Sequence, residues 1–118
     1  MNKISDYVQF EYNGKIFATG FGVIDPSDPY SMYTEGKKYP DTHYVNVDFG
    51  RIEDRVEMNI VRSLNTFTGL PLNTEVWVDG KLFTNVAEGS LTFEKPNPLD
   101  FYQLKFVNFP YMDFEVTL

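Results

Sequence analysis

Apolar and polar residues alternate one by one along most of this chain. Val8, Phe10 and Tyr12 are interleaved with Gln9 and Glu11, and Val45, Val47 and Phe49 with Asn46 and Asp48. Met112, Phe114, Val116 and Leu118 alternate with Asp113, Glu115 and Thr117. A period of two sends successive side chains to opposite faces of a pleated strand, and on a helix it makes no apolar stripe. Turn residues punctuate the pattern at Asn13-Gly14, Gly50, Gly69-Leu70-Pro71, Asp79-Gly80 and Lys95–Pro98. About nine short strands with turns between them predict an all-β fold, an antiparallel sandwich with little or no helix. Only Arg51–Leu64 has helical spacing, with Ile52, Val56 and Ile60 four apart. Its β-branched residues favour two strands.

Two hairpins fix registers. A two-residue turn at Asn13-Gly14, with positive φ at both residues, sets Phe10 opposite Phe17 and Val8 opposite Thr19. The same turn at Asp79-Gly80 sets Trp77 opposite Leu82 and Val76 opposite Phe83, an apolar pair on each face. Residues 25–42 hold three prolines and read as a long loop. Residues 64–73 read as a second, shorter connection. Pro110 lacks an N–H, so it should mark an edge, a bulge or a corner between sheets, anchored by Phe109 and Tyr111. The strand after it, up to Leu118, should be held by pairing.

The 118 residues fit a single β domain. Two sub-lobes, a hairpin unit over 1–63 and an Ig-like half over 64–118, fit the spacing as well as one continuous sandwich does. With 42% hydrophobic and 17% aromatic residues the chain can build a core. It has no cysteine, so disulfides and thiolate metal sites are excluded. A net charge of −7 disfavours nucleic acid and anionic membranes as partners. No stretch has the length of a membrane span, and the start has no apolar signal region. These features point to synthesis in a bacterial-type cytoplasm.

No catalytic constellation stands out. His43 is the one histidine, with Asp41 and Asp48 near it in sequence, too few ligands for a metal. There is no Gly-X-Ser-X-Gly elbow. The carboxylate pairs Glu53/Asp54 and Asp113/Glu115 fall where the pattern predicts solvated faces or turns. Gly20-Phe21-Gly22 lacks the lysine and helix of a phosphate loop. The chain is therefore expected to be no enzyme and to need no cofactor or metal. Candidate binding residues are Tyr30, Met32, Tyr33 and Tyr39 in the long loop, since tyrosines give contact area with few rotors. Trp77 is another, as a stacking surface. The competing reading is that the loop folds its rings over the sheet and that Trp77 lies in the core.

Three segments carry a resemblance: "HYVNVDFGRIEDRVEM", "FTGLPLNTEVWVDGKLF" and "LTFEKPNPLDFYQLKFVNFPYMDFEVTL". Together, over residues 43–118, they resemble small β-rich tail or tail-fibre-associated proteins of tailed bacteriophages. The shared pattern runs from a Tyr-Val strand through a Gly-Leu-Pro turn and a Val-Asp-Gly hairpin to a closing Phe-Pro-Tyr strand. Val56 stands where that pattern has proline. The resemblance implies a non-enzymatic virion-associated or accessory protein that works by protein–protein contact in the tail or baseplate region. Its partners would be phage structural proteins or further copies of itself, with no nucleic acid and no membrane. Its location would be the virion, after synthesis in the host cytoplasm, or the host cytoplasm alone. The other readings are a stand-alone ligand- or carbohydrate-binding β module and a small acidic phage inhibitor of a host defence protein.

Overall fold

Every regular element among the described residues is a strand. The computed structural model describes residues 4–87 and 89–118. Among these residues twelve strands, all paired antiparallel, form four small sheets. The all-β class read from the sequence is what the chain adopts. The contacts divide it into two compact units, one ending at Arg55 and the other beginning at Val56.

In the first unit β1 (Ser5–Phe10), β2 (Ile16–Gly22) and β3 (Ser31–Tyr33) form a sheet in the order β2-β1-β3. A ribbon of β4 (His43–Asn46) and β5 (Arg51–Asp54) completes the unit. Val8, Phe10, Ile16 and Val45 are its buried core, with Met32 and Ile52 packed against them.

The β1–β2 turn differs from the expected two-residue form. The Glu11 N–H donates to the Lys15 carbonyl (2.8 Å) and the Gly14 N–H to the Glu11 carbonyl (2.8 Å), so the loop is Tyr12-Asn13-Gly14. Only Gly14 has positive φ, at 94°. This is a type I turn closed by a left-handed glycine. The extra loop residue shifts the register by one, so Phe10 faces Ile16 and not Phe17. A bulge at Phe17 shifts it back, and Val8 faces Thr19 as the sequence predicted. Gly14 also lies against β4. The Val45 N–H donates to its carbonyl (2.8 Å), and a Cβ on Gly14 would overlap the Val45 carbonyl oxygen.

Residues 25–42 are not one unbroken loop, because β3 lies within them and sets Met32 opposite Val8. A three-residue strand is too short to show alternation in sequence. Two repeats of Asp-Pro-X lead into it. Asp25 Oδ1 accepts from the Ser27 N–H (2.9 Å), and Asp28 Oδ1 from the Tyr30 N–H (2.9 Å). Each is the Asp turn that a short carboxylate forms with the backbone two residues on.

The described residues of the second unit form seven strands: β6 (Val61–Ser63), β7 (Thr66–Thr68), β8 (Thr74–Val78), β9 (Lys81–Val86), β10 (Ser90–Thr92), β11 (Gln103–Val107) and β12 (Phe114–Thr117). They form one sheet in the order β10-β7-β6 and another in the order β12-β11-β8-β9. Hairpins stay within a sheet, while the β7–β8, β9–β10 and β10–β11 connections pass between sheets. That is Ig-like connectivity, three strands over four. Phe67 of β7 meets Phe106 of β11 with ring centroids 4.9 Å apart, and Met58, Leu70, Val76, Val86, Phe93, Leu104 and Leu118 are buried around them. Truncating either ring to alanine should cost about 3–5 kcal/mol.

Three expectations change here. The segment 64–73 contains β7, whose Phe67 is fully buried. One apolar residue between two threonines gives no periodicity to read. Val56, Met58 and Ile60 do not form a strand, because Asn59 takes a left-handed conformation (φ 58°) and breaks it. Met58 is buried all the same. The Asp79-Gly80 turn has positive φ at both residues, 49° and 81°, and pairs Trp77 with Leu82 as predicted. A bulge then sets Phe83 aside, and Val76 faces Thr84. Pro110, preceded by a cis peptide bond, sits in the turn from Asn108 to Tyr111 that joins β11 to β12 within one sheet. It is thus no corner between sheets, and the strand after it is an edge strand. Leu118 is clamped by two backbone hydrogen bonds with Tyr102, of 2.8 and 2.9 Å.

Candidate contact surfaces

In the first unit the turn and the proline-broken segment build a cleft. Tyr12 tops the β1–β2 loop and is 80% exposed, because the type I turn directs it away from the sheet. Tyr30 is held from three sides. Its N–H donates to Asp28, its carbonyl accepts from the Phe10 N–H (2.9 Å), and its ring meets Phe10 edge-on at 5.9 Å. Ser31 Oγ–H donates to the other Asp28 oxygen (2.7 Å). Val45, Val47 and Gly50 form the opposite wall, fixed to the loop through the Gly14–Val45 bond. The cavity measures about 330 Å³, and none of its lining side chains is charged. That is near the lower end of small-ligand sites.

The four loop candidates separate. Tyr30 and Met32 line the cleft. Tyr33 points to the other face of the sheet from Met32, and its hydroxyl accepts from the Ile24 N–H (3.1 Å), tying the end of β2 to β3. Tyr39 is exposed and lies outside the cleft. The loop thus covers the sheet with Met32 and leaves Tyr30 at its rim. Trp77 belongs to the second unit and lies on the outer face of its sheet, beside Leu82 and Lys105, not in the core. Its Nε1–H donates to Glu75 (3.3 Å).

The residues weighed for chemistry are engaged elsewhere. His43 Nε2 meets Asp54 (3.1 Å), and Nδ1 meets the Thr42 hydroxyl (2.7 Å), so both ring nitrogens are occupied. Among the described residues no three His, Asp or Glu side chains cluster as a metal site. Glu53 accepts from Arg51 Nε (2.7 Å) and from the Tyr44 hydroxyl (2.8 Å). Those bonds, Arg51's first, hold its carboxyl below the usual range, while the bond to Glu53 pushes the Tyr44 phenol up. Asp113 pairs with Lys105 (3.5 Å).

The second unit shows a patch the sequence reading missed. Phe83, turned out by its bulge, meets Phe93 edge-on at 5.8 Å, and Phe93 meets Tyr102 at 5.7 Å. Lys95 lies over Phe101 and Tyr102, at 5.8 and 6.0 Å. Beyond them Leu99 and Phe101 are 89% and 82% exposed. The available signal was Leu99 and Phe101 on either side of Asp100, apolar residues just after Pro98 in a segment otherwise read as a turn. No helix among the described residues is long and apolar enough to cross a membrane. Comparison with known proteins finds no matching family model, curated protein or solved structure.

Proposed function

We propose that the chain is a non-enzymatic accessory protein of a tailed phage, working by protein–protein contact in the tail or baseplate region. The observation that carries the contact role is the outward placement of aromatic rings by local backbone devices. Tyr12 stands on a three-residue turn, Phe17 and Phe83 on bulges, and Phe101 on a proline-bounded loop. Exposed aromatics cost solubility, and they are enriched where proteins meet. The phage setting rests on the resemblance of residues 43–118. The test is to probe gradient-purified particles of the phage or prophage carrying the gene with an antibody to the chain. Co-migration at stoichiometric levels supports the proposal. Detection in the infected cell but never on particles overturns it.

The uncharged cleft at Tyr12 and Tyr30 favours a second reading, a carbohydrate-binding module in which the two rings stack on a sugar. Glycan-array binding lost on Tyr12→Ser and Tyr30→Ser would establish it. An array with no signal above background would remove it.

A further inference from the structure

Sheet edges offer unpaired backbone groups to other chains, and proteins blunt them with short length or with charge. Eight of the strands among the described residues are edges. β3, β6 and β10 have three residues each. β5, β9 and β12 carry charged residues: Arg51, Glu53 and Asp54 in β5, Lys81 in β9, Glu115 in β12. β4 has four residues, and its Val45 N–H is already bonded to Gly14. β2 alone is long and unguarded. It has seven residues, "IFATGFG", with no charge and no proline, in a chain of net charge −7. Its side chains include Phe17 at 60% and Phe21 at 70% exposure, with Thr19 exposed midway between them.

That spacing is self-complementary. We propose that two copies of the chain pair antiparallel through β2, about a two-fold axis at Thr19. In this register Thr19 faces its own counterpart, and Phe17 of each copy faces Phe21 of the other. Two cross-strand aromatic pairs form, and their rings leave water. The uncharged strand is the part of an acidic chain that can meet its own copy without like-charge repulsion. Four half-exposed rings and one ladder bury less than the ~1,200 Å² of a standard interface. The pair is therefore a reversible dimer, populated at micromolar concentration, and not a permanent one. This inference is independent of the phage reading.

The chain has no cysteine, so Thr19→Cys introduces a unique thiol. Across the axis the two sulfurs would lie within reach of a disulfide. Light scattering on the unaltered chain, from low to high micromolar, should show a monomer–dimer equilibrium. Thr19→Lys, at an exposed site, should leave the fold intact by circular dichroism and keep the chain monomeric. Thr19→Cys should form a disulfide dimer far faster than Asp100→Cys, a control on an exposed loop of the second unit. A chain that stays monomeric throughout overturns the proposal. So does a dimer that survives Thr19→Lys, or a dimer in which Thr19→Cys links no faster than Asp100→Cys. If Thr19→Lys fails to fold, the two cysteine variants decide alone.

Discussion

Gly14→Ala should loosen the first unit by a calculable amount. Two costs add. The backbone there has φ 94°, a region that costs an L-residue about 1–2 kcal/mol. The new methyl would also occupy the space of the Val45 carbonyl oxygen, so β4 must move away. That movement stretches or breaks the 2.8 Å bond from the Val45 N–H to Gly14. Val45 is buried, so its freed N–H would lack water, at about 1–3 kcal/mol. The sum is about 2–5 kcal/mol, a large share of the ~5–15 kcal/mol typical of a whole domain. Gly36→Ala is the control. Its φ is 77°, but its Cβ would meet open space, so only the strain of about 1–2 kcal/mol applies. The assay is chemical denaturation of both variants, with hydrogen exchange followed by mass spectrometry. Gly14→Ala should lose clearly more than Gly36→Ala, and protection should fall first at β1, β2 and β4. Equal losses in the two variants would refute the argument that Val45 is the obstacle.

Leu64 is exposed and left-handed (φ 55°) in the turn between β6 and β7. Leu64→Gly should stabilise the chain by up to about 1 kcal/mol, the released strain less the entropy cost of glycine, and so raise the denaturation midpoint; a lower midpoint would count against it. Deleting residues 115–118 removes the half-buried Val116 and the buried Leu118 together with the Tyr102 clamp. At ~1.5–3 kcal/mol for a fully buried side chain, with Val116 contributing part of that, the loss is about 2–5 kcal/mol. The second unit should melt early or aggregate on size exclusion, and an unchanged melting point would show β12 to be dispensable. Glu53 titrates below its ordinary value, so its contribution to stability is complete above the unfolded carboxyl's pKa and disappears as pH falls through the folded one. Tyr44→Phe should move its NMR titration midpoint upward, and an unmoved midpoint would deny the hydrogen bond a role.

The sequence carried the strand class because alternation is written residue by residue, and Asp79-Gly80 carried its turn because both residues tolerate positive φ. Asn13-Gly14 is the same kind of turn pair and formed a different loop. Nothing local separates a two-residue turn from a three-residue one, since the choice is completed by tertiary contact at Val45. The bulges at Phe17 and Phe83 were invisible for a related reason. Each adjusts a register that is fixed at both ends, so the residue set aside depends on pairing several positions away. β3 and β7 were missed because three residues cannot display a period. Of the site candidates, Tyr30 and Met32 reached the cleft, while Tyr12 escaped notice because a turn position says little about where its ring will stand.

The seven-strand unit places its first strand, β6, and its last, β12, in different sheets. This sets how the unit would carry tension. A force applied between Val56 and Leu118 acts on no ladder common to both ends, and each end strand is an edge held by one ladder, β6 to β7 and β12 to β11. Between those two ladders it crosses from sheet to sheet through the packed side chains, with Phe67 and Phe106 in the path. The apolar filling of this unit therefore shares tension with its two end ladders, and substitutions there would alter its mechanical strength as well as its stability.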